Sequence, residues 1–332
     1  MMTVSLCVVA YNEEVFLPNL LKDLSNQTYP HELIEIVLVD GRSFDKTREI
    51  MEKFKISDNT FMNVQVLDNP KRIQAAGWNI AIANAIGDVI IRIDAHTHIP
   101  AEFTTKNMVL QEKGEYVTGG VRPCLIEKPT AWKNTLLEVE NSLFGSSINK
   151  SRHSREKQYV KSIFHAAYRH EVFEKVGFFN EKLLRTEDNE MHYRIRQAGY
   201  RFCFDPDIVS YQYARSSLKL MIKQKYGNGY WIGLTLGVCP GCISVYHLVP
   251  LAFVLGIVIT SIMTVLGFWQ LGAIMWGAYF SFTVISTVVS IINKKKNKWI
   301  LCMPFLFLVL HICYGIGTAV GLCRLVVKGG EI

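Results

Sequence analysis

The stretch from Tyr226 to Asn293 contains no Asp, Glu, Lys or Arg. A water-facing surface is not built without such residues, so a wholly soluble protein is excluded. Three apolar runs lie here and just beyond: Val245–Phe268, Leu271–Ile292 and Leu301–Cys323. Each is about long enough to cross a hydrocarbon core of roughly 30 Å at about 1.5 Å per residue. Three transmembrane helices are expected. The N-terminus lacks the basic n-region of a cleavable signal peptide, and a hydrophobic strand, Val4–Val9, starts almost at once. The N-terminal part is therefore expected to stay in the cytoplasm. The eight cysteines are scattered, as suits free thiols in a reducing compartment. Cys239-Pro-Gly-Cys242 has redox or metal spacing, but it lacks the second pair that a structural zinc needs. The other reading of it is a small-residue turn at the membrane surface. There is no internal repeat and no low-complexity tract.

The chain has 332 residues, a net charge of +7 and 49% hydrophobic residues, enough for a full-sized domain and a membrane part. Lys294, Lys295, Lys296 and Lys298 sit between the second and third apolar runs. Arg215, Lys219, Lys223 and Lys225 precede the first. Both segments are expected in the cytoplasm by the positive-inside rule. They share a side if the first two spans form a hairpin, with Trp269 at the far interface. The tail after Cys323 then lies outside, against the tendency of Arg324 and Lys328.

Strand and helix signals alternate through the first two hundred residues. Val4–Val9 reads as a strand, Glu13 to Ser25 as a helix, Ile34–Val39 as a strand and Thr47 to Phe54 as a helix. Val64–Leu67, the helix Ile73 to Ala85 and a strand ending at Asp94 continue the rhythm. That rhythm implies a parallel sheet with helices on both faces. Beyond Pro100, Ala131 to Phe144 is an amphipathic helix, and Ser146 to Gln158 is a polar, basic loop. Ile163–Tyr168 fits a strand, and Glu171–Val176 a short helix ending at Gly177. Another helix runs from Thr186 to Ala198, before Gly199. Ser217 to Trp231 has the pattern of a helix lying in a membrane interface. The expected organisation is a catalytic domain over 1–215, an interfacial amphipathic linker over 216–240 and a membrane domain over 241–332.

Four polar sites fall at element ends: Ala10-Tyr11-Asn12-Glu13-Glu14, Asp40-Gly41-Arg42-Ser43, Asp94-Ala95-His96 and Thr186-Glu187-Asp188. Ligands bind at the carboxyl edge of such sheets, so acidic groups at successive strand ends converge on one site. Side chains two apart on a strand share a face, which places Asp94 and His96 together. A carboxylate and an imidazole so placed can hold a divalent metal beside a diphosphate. The plainer reading is a polar turn with His96 on the surface. Thr186-Glu187-Asp188 also reads as a helix start, with Thr186 as N-cap and acids in the first turn.

The chain resembles family 2 glycosyltransferases of the GT-A fold over roughly residues 2 to 215. The resemblance is carried by Val8-Val9-Ala10-Tyr11-Asn12-Glu13-Glu14, Val39-Asp40-Gly41, Asn79 with Gly87-Asp88, Asp94-Ala95-His96, Gly177-Phe178-Phe179-Asn180-Glu181 and Thr186-Glu187-Asp188. Asn69-Pro70-Lys71-Arg72-Ile73-Gln74 and the Asp-Ala-His triplet resemble the succinoglycan-type exopolysaccharide transferases. The fold this implies is a Rossmann-like mixed sheet, followed by C-terminal transmembrane α-helices. By the same resemblance Ala10, Tyr11, Glu13 and Asp40 would bind the base and ribose of a nucleotide sugar, usually UDP-linked. Asp94 and His96 would take the place of the family's metal-binding Asp-x-Asp. Imidazole is softer than carboxylate and suits Mn²⁺ better than Mg²⁺. Asp188, beside Glu187, would be the catalytic base of an inverting transfer.

Gln212-Tyr213-Ala214-Arg215 resembles the family's Gln-x-x-Arg-Trp motif, with Ser216 where processive synthases carry Trp. Arg215 reads either as a diphosphate contact or as an interfacial anchor. Arg72 reads as a diphosphate or base contact, or as a solvated helix start. His98 reads as a surface residue or a support for the site.

The function implied is transfer of a sugar from a cytoplasmic nucleotide sugar to a lipid-diphosphate-linked acceptor, in exopolysaccharide or capsule biosynthesis. The interfacial helix and the basic loop near Arg152 and Arg155 suit contact with lipid phosphates. The expected partners are the donor, the acceptor and membrane lipid, with no nucleic acid. Two readings remain beside it. One is a processive polysaccharide synthase, disfavoured by the missing Trp and by too few helices for a pore. The other is a degenerate membrane scaffold, for which His96 is the motif-level support.

Overall fold

The structure, a computed structural model, describes residues 1–57, 60–145, 156–213, 217–293 and 297–327. Arg215, Ser216, Lys294–Lys296, Lys328 and most of the expected loop 146–158, with Arg152 and Arg155, lie outside the described residues. The chain divides into two compact units, residues 1–125 with 151–213, and 126–150 with 214–332.

The first unit begins with β1 (Val4–Ala10), α1 (Leu17–Ser25), β2 (Ile34–Asp40), α2 (Thr47–Ser57), β3 (Asn63–Asp68), α3 (Gln74–Asn84) and β4 (Val89–Asp94). The four strands lie in the order β3-β2-β1-β4, all parallel. They are buried on both faces, which accounts for their near-continuous apolar sequences. Alternate residues serve opposite cores. Val4, Leu6 and Val8 join α1 and Met51 on one face, while Cys7 joins Ala75, Trp78 and Ala81 of α3 on the other. The helix expected from Glu13 starts only at Leu17, with Pro in its first turn, where proline is tolerated.

Next come β5 (Thr97–His98), α4 (Phe103–Glu112), β6 (Val117–Val121) and β7 (Cys124–Leu125). After α5 (Ala131–Asn141), which falls in the second unit, the chain re-enters with β8 (Gln158–Val160) and β9 (Ala167–Arg169). Then follow α6 (His170–Val176), α7 (Glu187–Gln197), β10 (Phe202–Val209) and β11 (Tyr211–Tyr213). These strands extend the sheet to β3-β2-β1-β4-β9-β6-β10-β8. The sheet is mixed, because β9 runs antiparallel to both β4 and β6, and β8 antiparallel to β10. The rhythm of the first half therefore overstates the parallel character. The strand expected over Ile163–Tyr168 shrinks to Ala167–Arg169, since His165 takes a left-handed φ of 48° that no strand accommodates. β11 pairs with β5 and with β7 in a separate three-stranded sheet.

The second unit holds α5, α8 (Leu218–Val238), α9 (Val249–Val265), α10 (Trp269–Asn293) and α11 (Met303–Val327). Three helices are long and apolar enough to cross a membrane: Val245–Val265, Trp269–Ile292 and Lys298–Val327. The helix α5 was expected with the catalytic domain. Its apolar face, Leu136 and Val139, instead meets Met221, Met303, Leu306 and Phe307. Glu140 pairs with the buried Lys225 at 2.8 Å, so this lysine of the expected interfacial stripe is turned inward. No disulfide joins the cysteines among the described residues, and Pro240–Cys242 is a single 3₁₀ turn.

Glycines set how α8 meets α11. A Cβ at Gly229 would come within 2.0 Å of the Tyr314 carbonyl oxygen, and one at Gly233 within 2.5 Å of that of Thr318. Tyr226 lies at Gly317, Tyr230 at Gly321 and Leu325 at Gly237, so the two helices run side by side in the same direction. Small residues allow such close backbone approach. Helices in this relation share one tilt. α8 therefore cannot lie flat in an interface while α11 crosses upright; the two cross together or lie together.

Candidate active site

The parallel strands end in register. Asp40 of β2 stands opposite Ala10 of β1 and Asp68 of β3, and Asp94 of β4 stands opposite Val9. Four polar chain segments therefore leave the sheet along one edge, where ligands bind in such folds.

The loops after β1 and β2 hold each other. The Asn12 N–H donates to Ser43 Oγ (2.9 Å), and the Phe44 N–H donates to Asn12 Oδ1 (2.9 Å). The Glu13 N–H donates to Thr47 Oγ1 (2.8 Å), and the Lys46 N–H to Glu14 Oε2 (3.0 Å). Asp40 is almost fully buried and accepts the Ser43 N–H at 3.2 Å. The Ala10 carbonyl accepts from Gly41 N–H at 2.8 Å. Asn12, Arg42 and Arg72 all have left-handed φ, at 56°, 58° and 56°. Such conformations are uncommon for these residues, and they cluster where chain is shaped for a ligand. They surround an open aromatic patch. Tyr11 meets Phe44 edge-on with ring centres 6.3 Å apart, and the Arg72 guanidinium lies 4.7 Å over the Phe44 ring. Phe44 is 75% exposed, and a flat apolar ring held open in this way suits stacking by a planar group.

The second half of the site is recessed, with His165 and His192 buried and Arg92, Asp94 and Asp188 part-buried. Asp94, Asp188, His165, Arg92 and His192 line one small pocket. Asp94 Oδ2 accepts from His165 Nε2 at 3.2 Å. Burial works against ionisation of Asp94. The His165 hydrogen bond, with His165, His96 and Arg92 nearby, outweighs it and holds the carboxyl well below the usual carboxylate range. Asp188, in the first turn of α7, has its pKa raised by burial, and Arg92 works in the opposite direction. A carboxylate tuned upward in this way is a better proton acceptor near neutral pH. Glu187 is pushed up by burial and by Asp188, and its Oε2 has no hydrogen-bond partner among the described residues. It is not among the residues lining the pocket. Thr186 takes the N-cap position of α7 without a side-chain capping bond.

Arg92 is the cation that balances this acidic cluster. Its guanidinium lies between the Trp78 and Phe179 rings, 4.5 and 4.6 Å from their centres. His192, one turn beyond Asp188, is tied to Tyr168 Oη at 2.7 Å and to Ser162 Oγ at 2.8 Å. Burial keeps it neutral by lowering its pKa far below the ordinary value.

Asp94 and His96 do not share a strand face, as their spacing suggested, because β4 ends at Asp94 and His96 lies in the turn before β5. Pairing of β5 with β11 brings Gln212 to it. The Gln212 amide meets His96 Nε2 at 3.0 Å, and Glu13 Oε1 meets His96 Nδ1 at 3.3 Å. Glu13, expected at the base and ribose, thus faces His96. A proton on Nδ1, donated to the Glu13 carboxylate, puts the acceptor lone pair on Nε2, where the Gln212 amide N–H donates to it, so a metal bound at Nε2 would have to displace that amide. Asp94 keeps Oδ1 without a hydrogen-bond partner among the described residues. The described residues contain no ready-made cluster of three His, Cys, Asp or Glu. What they present, one ionised carboxylate and one imidazole with its lone pair on Nε2, fits a divalent ion that also binds its substrate's oxygens.

Other motif residues prove structural. Asn79 exchanges two hydrogen bonds with the Phe179 backbone, at 2.8 and 2.9 Å, and so fixes the Gly177–Glu181 segment. Asp88 receives the Thr3 N–H and hydroxyl at 2.8 and 2.9 Å. His98 pairs with Asp23 at 2.7 Å. A larger open hollow of about 360 Å³, near Tyr159, Lys161, Arg196 and Arg201, lies at the start of β10, away from these residues. Sequence reasoning passed over Arg92, His165, His192 and Phe44. Arg92 carried a signal, a cation within Val89-Ile90-Ile91-Arg92-Ile93. The others carried none that spacing could reveal.

Residues 5–177, just over half of the chain, match the family model described as glycosyl transferase family 2. The dolichyl N-acetyl-alpha-D-glucosaminyl phosphate 3-beta-D-2,3-diacetamido-2,3-dideoxy-beta-D-glucuronosyltransferase of Methanococcus voltae is 26% identical over 331 residues, covering 97% of both chains. The succinoglycan biosynthesis protein ExoA of Rhizobium meliloti is 32% identical over 200 residues, covering 58% of each chain. Among solved structures, the mannosyltransferase PcManGT of Pyrobaculum calidifontis, in complex with GDP-Man and Mn²⁺, is similar at a TM-score of 0.61 and 16% identity. That likeness covers 96% of this chain and 87% of that one. The sheet order, the acidic edge and the family match agree: the fold is GT-A, and the chain is a glycosyltransferase that belongs to glycosyl transferase family 2.

Proposed function

We propose that the chain moves a sugar, with inversion, from a UDP-linked donor to a lipid-linked sugar phosphate at the cytoplasmic face of a membrane, in surface polysaccharide assembly. The observation that carries this reading is the meeting of Asp94 and Asp188 in one pocket at the sheet's carboxyl edge. The acceptor class is supported by the Methanococcus voltae relative, whose name specifies a dolichyl-linked sugar phosphate and whose match runs through the apolar helices. The succinoglycan relative supports the pathway.

In this reading Tyr11 and Phe44 receive the uracil ring, and Arg72 lies near the diphosphate. Arg215 remains a candidate for the same group. Asp188 takes the proton of the acceptor hydroxyl as its oxygen attacks the anomeric carbon. The bond from that carbon to the UDP oxygen breaks on the opposite face, so the configuration inverts. Glu187, whose pKa burial and Asp188 push up to about 7, is protonated below neutral pH and there lends Asp188 a neutral neighbour. Asp94 and His96 would hold a divalent ion, Mn²⁺ in preference to Mg²⁺, which neutralises charge developing on the leaving diphosphate. Arg92 is clamped by its two rings and keeps the carboxylates from repelling one another.

The apolar helices make this a multi-pass membrane protein in the proposal, with the Lys294–Lys298 loop cytoplasmic. With α9 and α10 as a hairpin and the Lys294–Lys298 loop cytoplasmic, α8 has to end on the side where it starts, so in this proposal α8 does not cross, and α11, which runs beside it in the same direction, lies with it at the cytoplasmic face. A cysteine at Gly330, in an otherwise cysteine-free variant, should then be protected from an impermeant thiol reagent in intact cells. Labelling there would mean that α11 crosses and would overturn this arrangement.

The full chain in detergent, given a panel of nucleotide sugars and a short polyprenyl-phosphate-linked sugar, should release UDP and form a product of inverted anomeric configuration by proton NMR. EDTA should abolish release and Mn²⁺ restore it. Failure with every UDP-sugar but turnover of a GDP-sugar would replace the donor. A retained configuration would remove Asp188 as base.

A further inference from the structure

His165 is buried, lies outside every motif of the family resemblance and has a left-handed backbone at φ 48°. Non-glycine residues adopt that conformation uncommonly, histidine more readily than most, and here the contacts of the ring hold it in place. Three segments meet at its ring. Nδ1 lies 2.9 Å from Ser210 Oγ, between β10 and β11. Nε2 lies 3.2 Å from Asp94 Oδ2, at the end of β4, and 3.3 Å from Thr97 Oγ1 in β5. An ionised carboxylate only accepts. Nε2 therefore carries the proton, and Nδ1 accepts from the Ser210 hydroxyl. The hydroxyl thus fixes the tautomer, the tautomer fixes the donor, and the donor engages one oxygen of Asp94. The other oxygen keeps its lone pairs for a ligand.

We propose that His165 is the positioning residue of this transferase: through Ser210 it locks one Asp94 oxygen, so that the other is aimed at the cation and diphosphate of the donor. The proposal rests on the metal reading given above. Groups that hold a metal's ligand in place commonly change its affinity by about 10- to 100-fold when removed. His165 touches neither substrate nor reacting atoms, and all of its effect passes through Asp94.

The test uses the full chain in detergent and reads Mn²⁺ binding in the presence of UDP, from the electron paramagnetic resonance signal of free Mn²⁺. His165→Phe keeps the ring's volume and removes the donor. His165→Gln can place an amide N–H where Nε2 stood. The Phe variant should bind Mn²⁺ with UDP about 10- to 100-fold more weakly, and the Gln variant should recover most of that loss. UDP affinity measured in EDTA should stay within about threefold for both, which a collapsed fold would not allow. In an Asp94→Asn background, His165→Phe should add nothing, since its partner is already gone. Wild-type Mn²⁺ affinity in His165→Phe, or a further loss of equal size on top of Asp94→Asn, overturns the proposal while leaving the metal reading intact. Wild-type protein that takes up no Mn²⁺ with UDP overturns the metal reading and this proposal with it.

Discussion

The two halves of the site are built on opposite principles. Around Tyr11, Phe44 and Arg72 the surface is open, and its shape comes from neighbouring loops that hydrogen-bond to each other's backbones. Around Asp94 and Asp188 the groups are recessed, and their properties come from what surrounds them in a small pocket: one guanidinium held against two rings and two buried histidines whose pKa values burial lowers. An open rim can grip a planar ligand and release it. A small recessed pocket can shift proton affinities, because low dielectric magnifies every charge nearby. Binding and chemistry are therefore expected to fail separately.

The largest effect should come from Asp188→Asn, which keeps the shape and removes the basicity. Transfer should fall by about 10²–10⁴ with donor affinity little changed, as read by product formation beside donor titration. A loss below threefold would move the base elsewhere.

A control lies outside both halves. Gly229→Ala places a methyl group against the Tyr314 carbonyl oxygen, where a Cβ has only 2.0 Å. It should destabilise the helical unit by about 1–3 kcal/mol, seen as an earlier melt in detergent, with donor affinity of the catalytic unit preserved. Gly277→Ala, whose Cβ would meet nothing beyond its own helix backbone within 4 Å, should not destabilise the unit and should raise the melt slightly.

Phe44→Ala removes an exposed ring from the rim. Base–aromatic stacking suggests a loss in donor affinity of roughly tenfold, checked by calorimetry with UDP. An unchanged affinity would place the base on another surface.

The smallest effect concerns Glu187. Burial and Asp188 raise its pKa from 4.5 to about 7 in the folded chain. The fold thus favours the protonated form. The stability this contributes is fully present below about pH 4.5 and is lost as pH rises through about 7. Glu187→Gln is always neutral, so its melting temperature should fall less than the wild type's between about pH 5 and 8. Parallel curves would assign that titration to another group.

The same division governs what the sequence disclosed. Strand ends were legible because apolar runs stop at polar residues, and the register then brings Ala10, Asp40, Asp68 and Asp94 to one edge. The place of Asp188 in the first turn of a helix was legible from Thr186-Glu187-Asp188. The pairing of Glu13 with His96 was not, because it depends on a turn that takes His96 off the strand. His165 was hidden for the same reason: its role follows from a left-handed backbone and from Ser210, forty-five residues away. The grouping of α5 with the long apolar helices was equally hidden. Its apolar period showed a face to be covered, and only the partners Met221, Met303 and Phe307 show by what.

The central claim, that the rim binds and the pocket reacts, is tested most directly by single-turnover rates measured across a donor titration for Asp188→Asn and Phe44→Ala side by side. The account predicts opposite signatures. Asp188→Asn should lose about 10²–10⁴ in rate with donor affinity within threefold. Phe44→Ala should lose roughly tenfold in affinity with the saturated rate within threefold. Both variants losing rate and affinity together would contradict it.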